Sequence, residues 1–231
     1  MSADSLTYLA LMALLFLAKA IELLAGVTYN VAGQQAPVAG LVLYALLGVA
    51  GLWLAGRTGF PDMWDQEITN RNRFLLPAAA GVVTALGMVA MDLWLRVGAY
   101  PQIPQTELPE GLLLVIIAGI TEEVALRLFL IPLLVWLVSG LLLKGRWQER
   151  IFWGAAGVAA VLYSLLAVGA LLGRAEVAGV SSALPFYVLG LPTILLYSLL
   201  AAYFFRRSGF LAVLSLRFGF YFVWHILWAL G

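Results

Sequence analysis

The chain has 231 residues, 64% of them hydrophobic and only 11% charged, and its mean hydropathy is +1.01. Water-soluble domains run at about 45–50% apolar and about 25% charged residues, so this composition excludes one and calls for lipid around the chain. A net charge of +1, no Cys and a single His, His225, exclude nucleic-acid binding by charge, disulfides, thiolate metal sites, cysteine nucleophiles, cysteine-linked lipid anchors and HExxH zinc chemistry.

Seven apolar segments are predicted, at roughly 7–28, 37–55, 74–95, 111–139, 151–172, 184–205 and 210–230. Each is close to the ~20 residues that cross the hydrocarbon as a helix. Such continuous runs are unlike the alternating pattern of an outer-membrane barrel. The fold class is therefore all-α, a polytopic helical membrane protein, with residues 1–231 as one integral membrane domain. No internal repeat, low-complexity tract or soluble module stands out.

The first segment is preceded by Asp4 and no basic residue, and it is too long for a signal-peptide core, so it reads as a retained helix. Its Lys19 and Glu22 share a face at i,i+3 and predict a local ion pair. The long loop RTGFPDMWDQEITNRNR follows the second segment. The third segment ends near Asp92 and Arg96, an i,i+4 pair. A Pro-rich connection, VGAYPQIPQTELPEG, then predicts extended or turned backbone.

The fourth segment is long, which predicts tilt or an extension beyond the membrane. At its centre stand Glu122, Glu123 and Arg127. A charge at the bilayer centre costs about 2.5–3.5 kcal/mol on insertion scales, so such a cluster marks a functional site by default. Glu123 and Arg127 can pair at i,i+4. Glu122 points about 100° away and has no sequence-local cation, which predicts a carboxylate free to act as a base.

Gly and Ala are frequent in the third and fifth segments, as in AAAGVVTALGMVA and GAAGVAAVL, and permit close helix approach. In the last segment Arg217, Tyr221 and His225 recur every four residues as one polar stripe, and His225 is placed to meet Glu122 or Glu123 across a helix interface. Helix rise puts Glu122 and His225 at different depths, which a tilt would have to reconcile. Trp53, Trp64, Trp147 and Trp153 lie near segment ends and read as interfacial anchors.

Arg57, Arg71, Arg73, Lys144, Arg146, Arg150, Arg206 and Arg207 lie in connections on the N-terminal side, against only Arg96 and Arg174 on the other. That bias predicts a cytoplasmic N-terminus and an outside C-terminus.

Glu122-Glu123-Val-Ala-Leu-Arg127 resembles the EExxxR motif of the CAAX-protease and bacteriocin-processing family, also called CPBP or Abi proteins. VLYSLLAV resembles that family's second motif, FxxxH, with Tyr163 at the aromatic position. RRSGFLAVLSLRFGFYFVWHILW resembles its final region, where a basic-Gly turn leads to a helix bearing a functional His. The three regions occur in family order and cover roughly residues 111–230. The resemblance implies a CAAX-protease-like bundle in a bacterial cytoplasmic membrane. It also implies intramembrane endopeptidase chemistry, with Glu122 as base, Glu123 and Arg127 as a salt-bridged pair and His225 as oxyanion donor.

Two departures bear on that chemistry. The His position of the second motif is Ala167, and the Asn position of the third is Ala229. Losing one oxyanion donor costs roughly 10²–10³ in rate, and losing a group that positions the nucleophile costs about 10²–10⁴ more. His225 with carboxylates alone is a poor zinc site, and no cofactor is implied. The expectation is a catalytically degenerate member of the fold, a structural or binding subunit of a membrane complex whose contacts are lipid and other membrane proteins. The alternative is an active endopeptidase using Glu122 and His225.

Overall fold

Every turn of these helices is built from residues that cannot leave backbone polar groups open to lipid, so the chain closes its hydrogen bonds within helices. The computed structural model describes residues 2–27, 37–100, 103, 108 and 110–230, and these contain no strand. Seven helices are long and apolar enough to cross a membrane: α1 (Ala3–Leu24), α2 (Val38–Arg57), α3 (Arg71–Val97), α4 (Glu110–Leu142), α5 (Gln148–Glu176), α6 (Phe186–Ser208) and α7 (Phe210–Leu230). The protein is an all-α polytopic integral membrane protein.

The predicted boundaries shift at several ends. Helix α1 starts four residues early because the Ser2 hydroxyl accepts from the Ser5 N–H at 3.2 Å and caps it, as Ser commonly does. It ends at Leu24, and Thr28 lies outside the described residues, as does most of the Pro-rich connection at 101–109. Helix α4 runs 33 residues, about 50 Å at 1.5 Å per residue, well beyond the ~30 Å hydrocarbon. Helix α5 is longer than predicted and carries Arg174 in its last turn, not in a loop.

Prolines explain three widened stretches. Arg71–Leu75, Val124–Leu130 and Phe186–Gly190 are π-helical, and each is followed two positions on by Pro77, Pro132 or Pro192. A proline has no N–H for the carbonyl four residues back and its ring crowds that carbonyl. Local π turns absorb the misfit. Pro132 thereby frees the Leu128 carbonyl, and α2 closes over it: a Cβ on Gly51 would stand 2.5 Å from Leu128 O.

The tightest packing joins α3 to α7. A Cβ on Gly81 would lie 2.1 Å from Leu216 O, and one on Gly219 would lie 2.3 Å from Ala78 O. Each glycine receives the other helix's backbone. Gly209 makes the hinge between α6 and α7 at φ +77°, a region where an L side chain is strained.

One face of the bundle is tied by its connections. Met63 N–H donates to Asp4 at 3.2 Å, and Trp64 Nε1 donates to Thr7 at 2.6 Å. Arg206 donates to Gly59 O at 3.1 Å and pairs with Glu149 at 3.1 Å. Phe60 stacks on Phe205 with centroids 4.7 Å apart. Trp53, Trp64, Trp147 and Trp153 are all exposed near these ends, and Arg57 lies 3.7 Å over the Trp53 ring. Large aliphatic side chains such as Leu24, Val83 and Leu166 are exposed around the outside, where hydrocarbon suits them.

Candidate functional site

Four of the predicted residues converge with a fifth that decides the arrangement. Glu123 is fully buried on α4. Its Oε1 accepts from Arg217 Nε of α7 at 2.7 Å and from the Tyr197 hydroxyl of α6 at 2.7 Å. Arg127 approaches its Oε2 at 3.2 Å, an ionic contact without hydrogen-bond alignment. Arg127 also donates to Ser198 Oγ at 2.5 Å. The predicted Glu123–Arg127 pair is present, and α6 and α7 complete it.

Glu122 is not the free carboxylate the local sequence suggested. Its Oε2 lies 2.9 Å from Arg217 Nη1 and accepts from the Tyr163 hydroxyl of α5 at 2.7 Å. Arg217 Nη1 also donates to Tyr163 at 2.9 Å and to Tyr221 at 3.1 Å. The correction has a plain cause: the cation comes from 95 positions along the chain, through the α4–α7 contact. Local spacing carries no record of that contact.

Two carboxylates and two guanidiniums thus sum to zero within the bilayer. Desolvating each ion costs several kcal/mol, which is offset only where geometry and extra hydrogen bonds are good. Here three tyrosine hydroxyls and a serine supply them. The Arg217 guanidinium also lies 4.8 Å from the Tyr197 ring and 5.0 Å from the Tyr221 ring, favourable cation–π positions.

Above this cluster lies a cavity of about 720 Å³. Glu122, Tyr163, Ala167, Arg174, Tyr221 and His225 all line it. Glu122 and His225 therefore share a space despite the depth difference read from helix rise. No hydrogen bond joins them: His225 Nδ1 is buried without a partner, and its ring packs edge-on against Tyr221 at 4.7 Å. The backbone around His225, Phe222–Leu227, is π-helical, a form frequent at functional sites. Ala167 borders the cavity one turn from Tyr163, whereas Ala229 sits in the short terminal turn Trp228–Leu230 and does not line it.

Sequence reasoning missed Tyr197, Ser198 and Arg174. Polar residues in α6 and a cation in the last turn of α5 were the available signals, but nothing local tied them to α4. The ion pairs Lys19–Glu22 and Asp92–Arg96 lie away from the cavity lining. Lys19 pairs with Glu22 within α1. Asp92 is fully buried and does more than pair with Arg96 at 3.4 Å: it accepts from Ile103 N–H at 3.0 Å and from Trp228 Nε1 at 3.0 Å. It pins the end of α7 to α3.

The site thus defines an integral membrane protein with a neutral, cross-braced ion cluster beneath a chambered cavity. No family model, curated protein or solved structure matches this chain.

Proposed function

We propose that the chain is a catalytically silent relative of the CAAX-protease and bacteriocin-processing type, acting as a structural or binding subunit in a bacterial cytoplasmic membrane complex. Its N-terminus would be cytoplasmic and its C-terminus outside, as the basic residues suggest. One observation carries the reading. The Glu122 oxygen is already held by Tyr163 at 2.7 Å and by Arg217 at 2.9 Å, and the neighbouring position where a histidine would orient water is Ala167. A general base needs an open acceptor within reach of the proton it takes. Here one carboxylate oxygen, Oε2, is braced, and the side chain that would orient a water for the other is only a methyl group. Gentle purification from native membranes tests this: a stoichiometric partner complex is the expected result. Cleavage of a membrane peptide by the pure protein, abolished in Glu122→Gln, would overturn it.

The second reading, an active endopeptidase using Glu122 and His225, draws on their shared cavity and on the unpartnered Nδ1 of His225. It requires that His225→Ala end turnover while the fold survives. Unchanged turnover in that variant removes it.

A further inference from the structure

The cavity extends well beyond the ion cluster, and its far end carries charge that the cluster does not use. Along α5 it runs from Tyr163 to Arg174, about 16 Å at 1.5 Å per residue. Arg174 makes no hydrogen bond or ion pair among the described residues, yet it lies within electrostatic reach of Glu122, Tyr221 and His225. Glu122 and Glu123 are balanced by Arg127 and Arg217, so Arg174 leaves the site one positive charge in excess. His225 also lines the cavity, with its Nδ1 buried away from it. Between these groups and the cluster the walls are apolar, with Leu114, Ile117, Ala170 and Leu171 among them.

Part of the lining is exposed. Pro37 on the α2 end and Leu166 and Ala170 on α5 line the cavity and are themselves exposed on the outside of the bundle, Leu166 to 75%. Apolar residues thus rim the cavity, which suits an occupant with an apolar body. At roughly 30 Å³ for each heavy atom, the share of a water molecule in the liquid, 720 Å³ admits about two dozen. That is one long alkyl chain with a small head group, and too few for a two-chain phospholipid.

We propose that this cavity binds a single-chain anionic amphiphile of the fatty-acid type, its carboxylate held by Arg174 and its chain lying along the apolar walls of α4 and α5. The single excess cation matches a monoanion. A bidentate guanidinium–carboxylate contact in a low-dielectric site is among the stronger hydrogen-bonded pairings. The inference rests on reading the site as one that binds rather than cleaves.

The test is saturable binding of tritiated palmitic acid to the full chain in phosphatidylcholine nanodiscs, at mildly alkaline pH and corrected against empty discs. The expected result is close to one palmitate per chain, displaced by unlabelled palmitate but not by 1-hexadecanol or by added phosphatidylglycerol. Arg174→Gln should weaken binding by about tenfold or more, and Arg174→Lys should keep most of it, since a point charge substitutes in part for the fork. Ala167→Phe, which fills the chamber, should block binding while leaving the excess charge. No saturable binding, equal displacement by hexadecanol or phosphatidylglycerol, or unchanged affinity in Arg174→Gln would each overturn the proposal. Peptide cleavage by the wild-type protein would instead remove the silent-subunit reading and leave palmitate binding measurable, so the two failures are distinct.

Discussion

Glu122 and Glu123 are chain neighbours with opposite surroundings. Glu123 faces the interior and meets Arg127, Arg217 and Tyr197, with no exposure. The Glu122 side chain is 36% exposed at the cavity and leans on Arg217 and Tyr163. One position of helical rotation separates a saturated structural ion from one that borders open space. Adjacent acidic residues in a membrane helix therefore need not share a role. Arg217 couples the two, since it touches both.

The largest expected effect comes from removing that coupling. Arg217→Met leaves a buried carboxylate underpaired, and breaking a buried pair in this way costs about 3–5 kcal/mol. Unfolding titrations in mixed detergent micelles should show a marked loss of stability. Adding Glu122→Gln should restore part of it, because Glu122 is the carboxylate left without a cation, whereas Glu123 keeps Arg127. A neutral single variant would mean that the inner half of the cluster is not the brace described here.

Next comes the α3–α7 contact that sets Arg217 in place. Gly81→Val or Gly219→Val puts a side chain into opposing backbone, and overpacking of this kind costs about 1–3 kcal/mol or more. The same unfolding assay reads it. Gly154→Val should be near neutral by comparison, since a Cβ there meets nothing within 4 Å.

Asp92→Ala should cost about 1–3 kcal/mol through the donors it orphans at Ile103 and Trp228. Its signature is local: faster hydrogen exchange at the end of α7 around His225, with the α4–α7 centre protected. Exchange unchanged there would separate Asp92 from the placement of His225.

The smallest effect sharpens the comparison most. Glu122→Gln should cost under about 1 kcal/mol, because a pair exposed on one side gains little. Glu123→Gln, one residue on, should cost several times more. Equal losses would mean that the two carboxylates are one structural unit and that the cavity side has no distinct role.

Much of the membrane architecture was legible because it depends on local composition. Seven runs of about 20 apolar residues appear as seven helices, with ends displaced by capping at Ser2 and by continuation of α3, α4 and α5 through less apolar residues. The small-residue runs show the limit. AAAGVVTALGMVA and GAAGVAAVL look alike, yet Gly81 touches backbone of α7 whereas Gly154 and Gly157 meet nothing within 4 Å. Which face of a helix finds a partner is not written in its own residues. Three of the π turns precede Pro77, Pro132 and Pro192, but the close seat of Gly51 on the Leu128 carbonyl requires α2 to be there.

By itself the sequence determined that lipid is the solvent, that helices cross it, and that Glu122, Glu123, Arg127 and His225 stand where charge and polarity are costly. These follow from transfer free energies that each segment carries alone. Only the tertiary structure decided that Arg217 holds both carboxylates, that Glu122 is braced by Tyr163 and that His225 shares a cavity with it unpartnered. Those facts are pairings between helices far apart in the chain. Hydrophobic burial does little to distinguish one helix pair from another inside lipid; close packing and polar contacts choose among them.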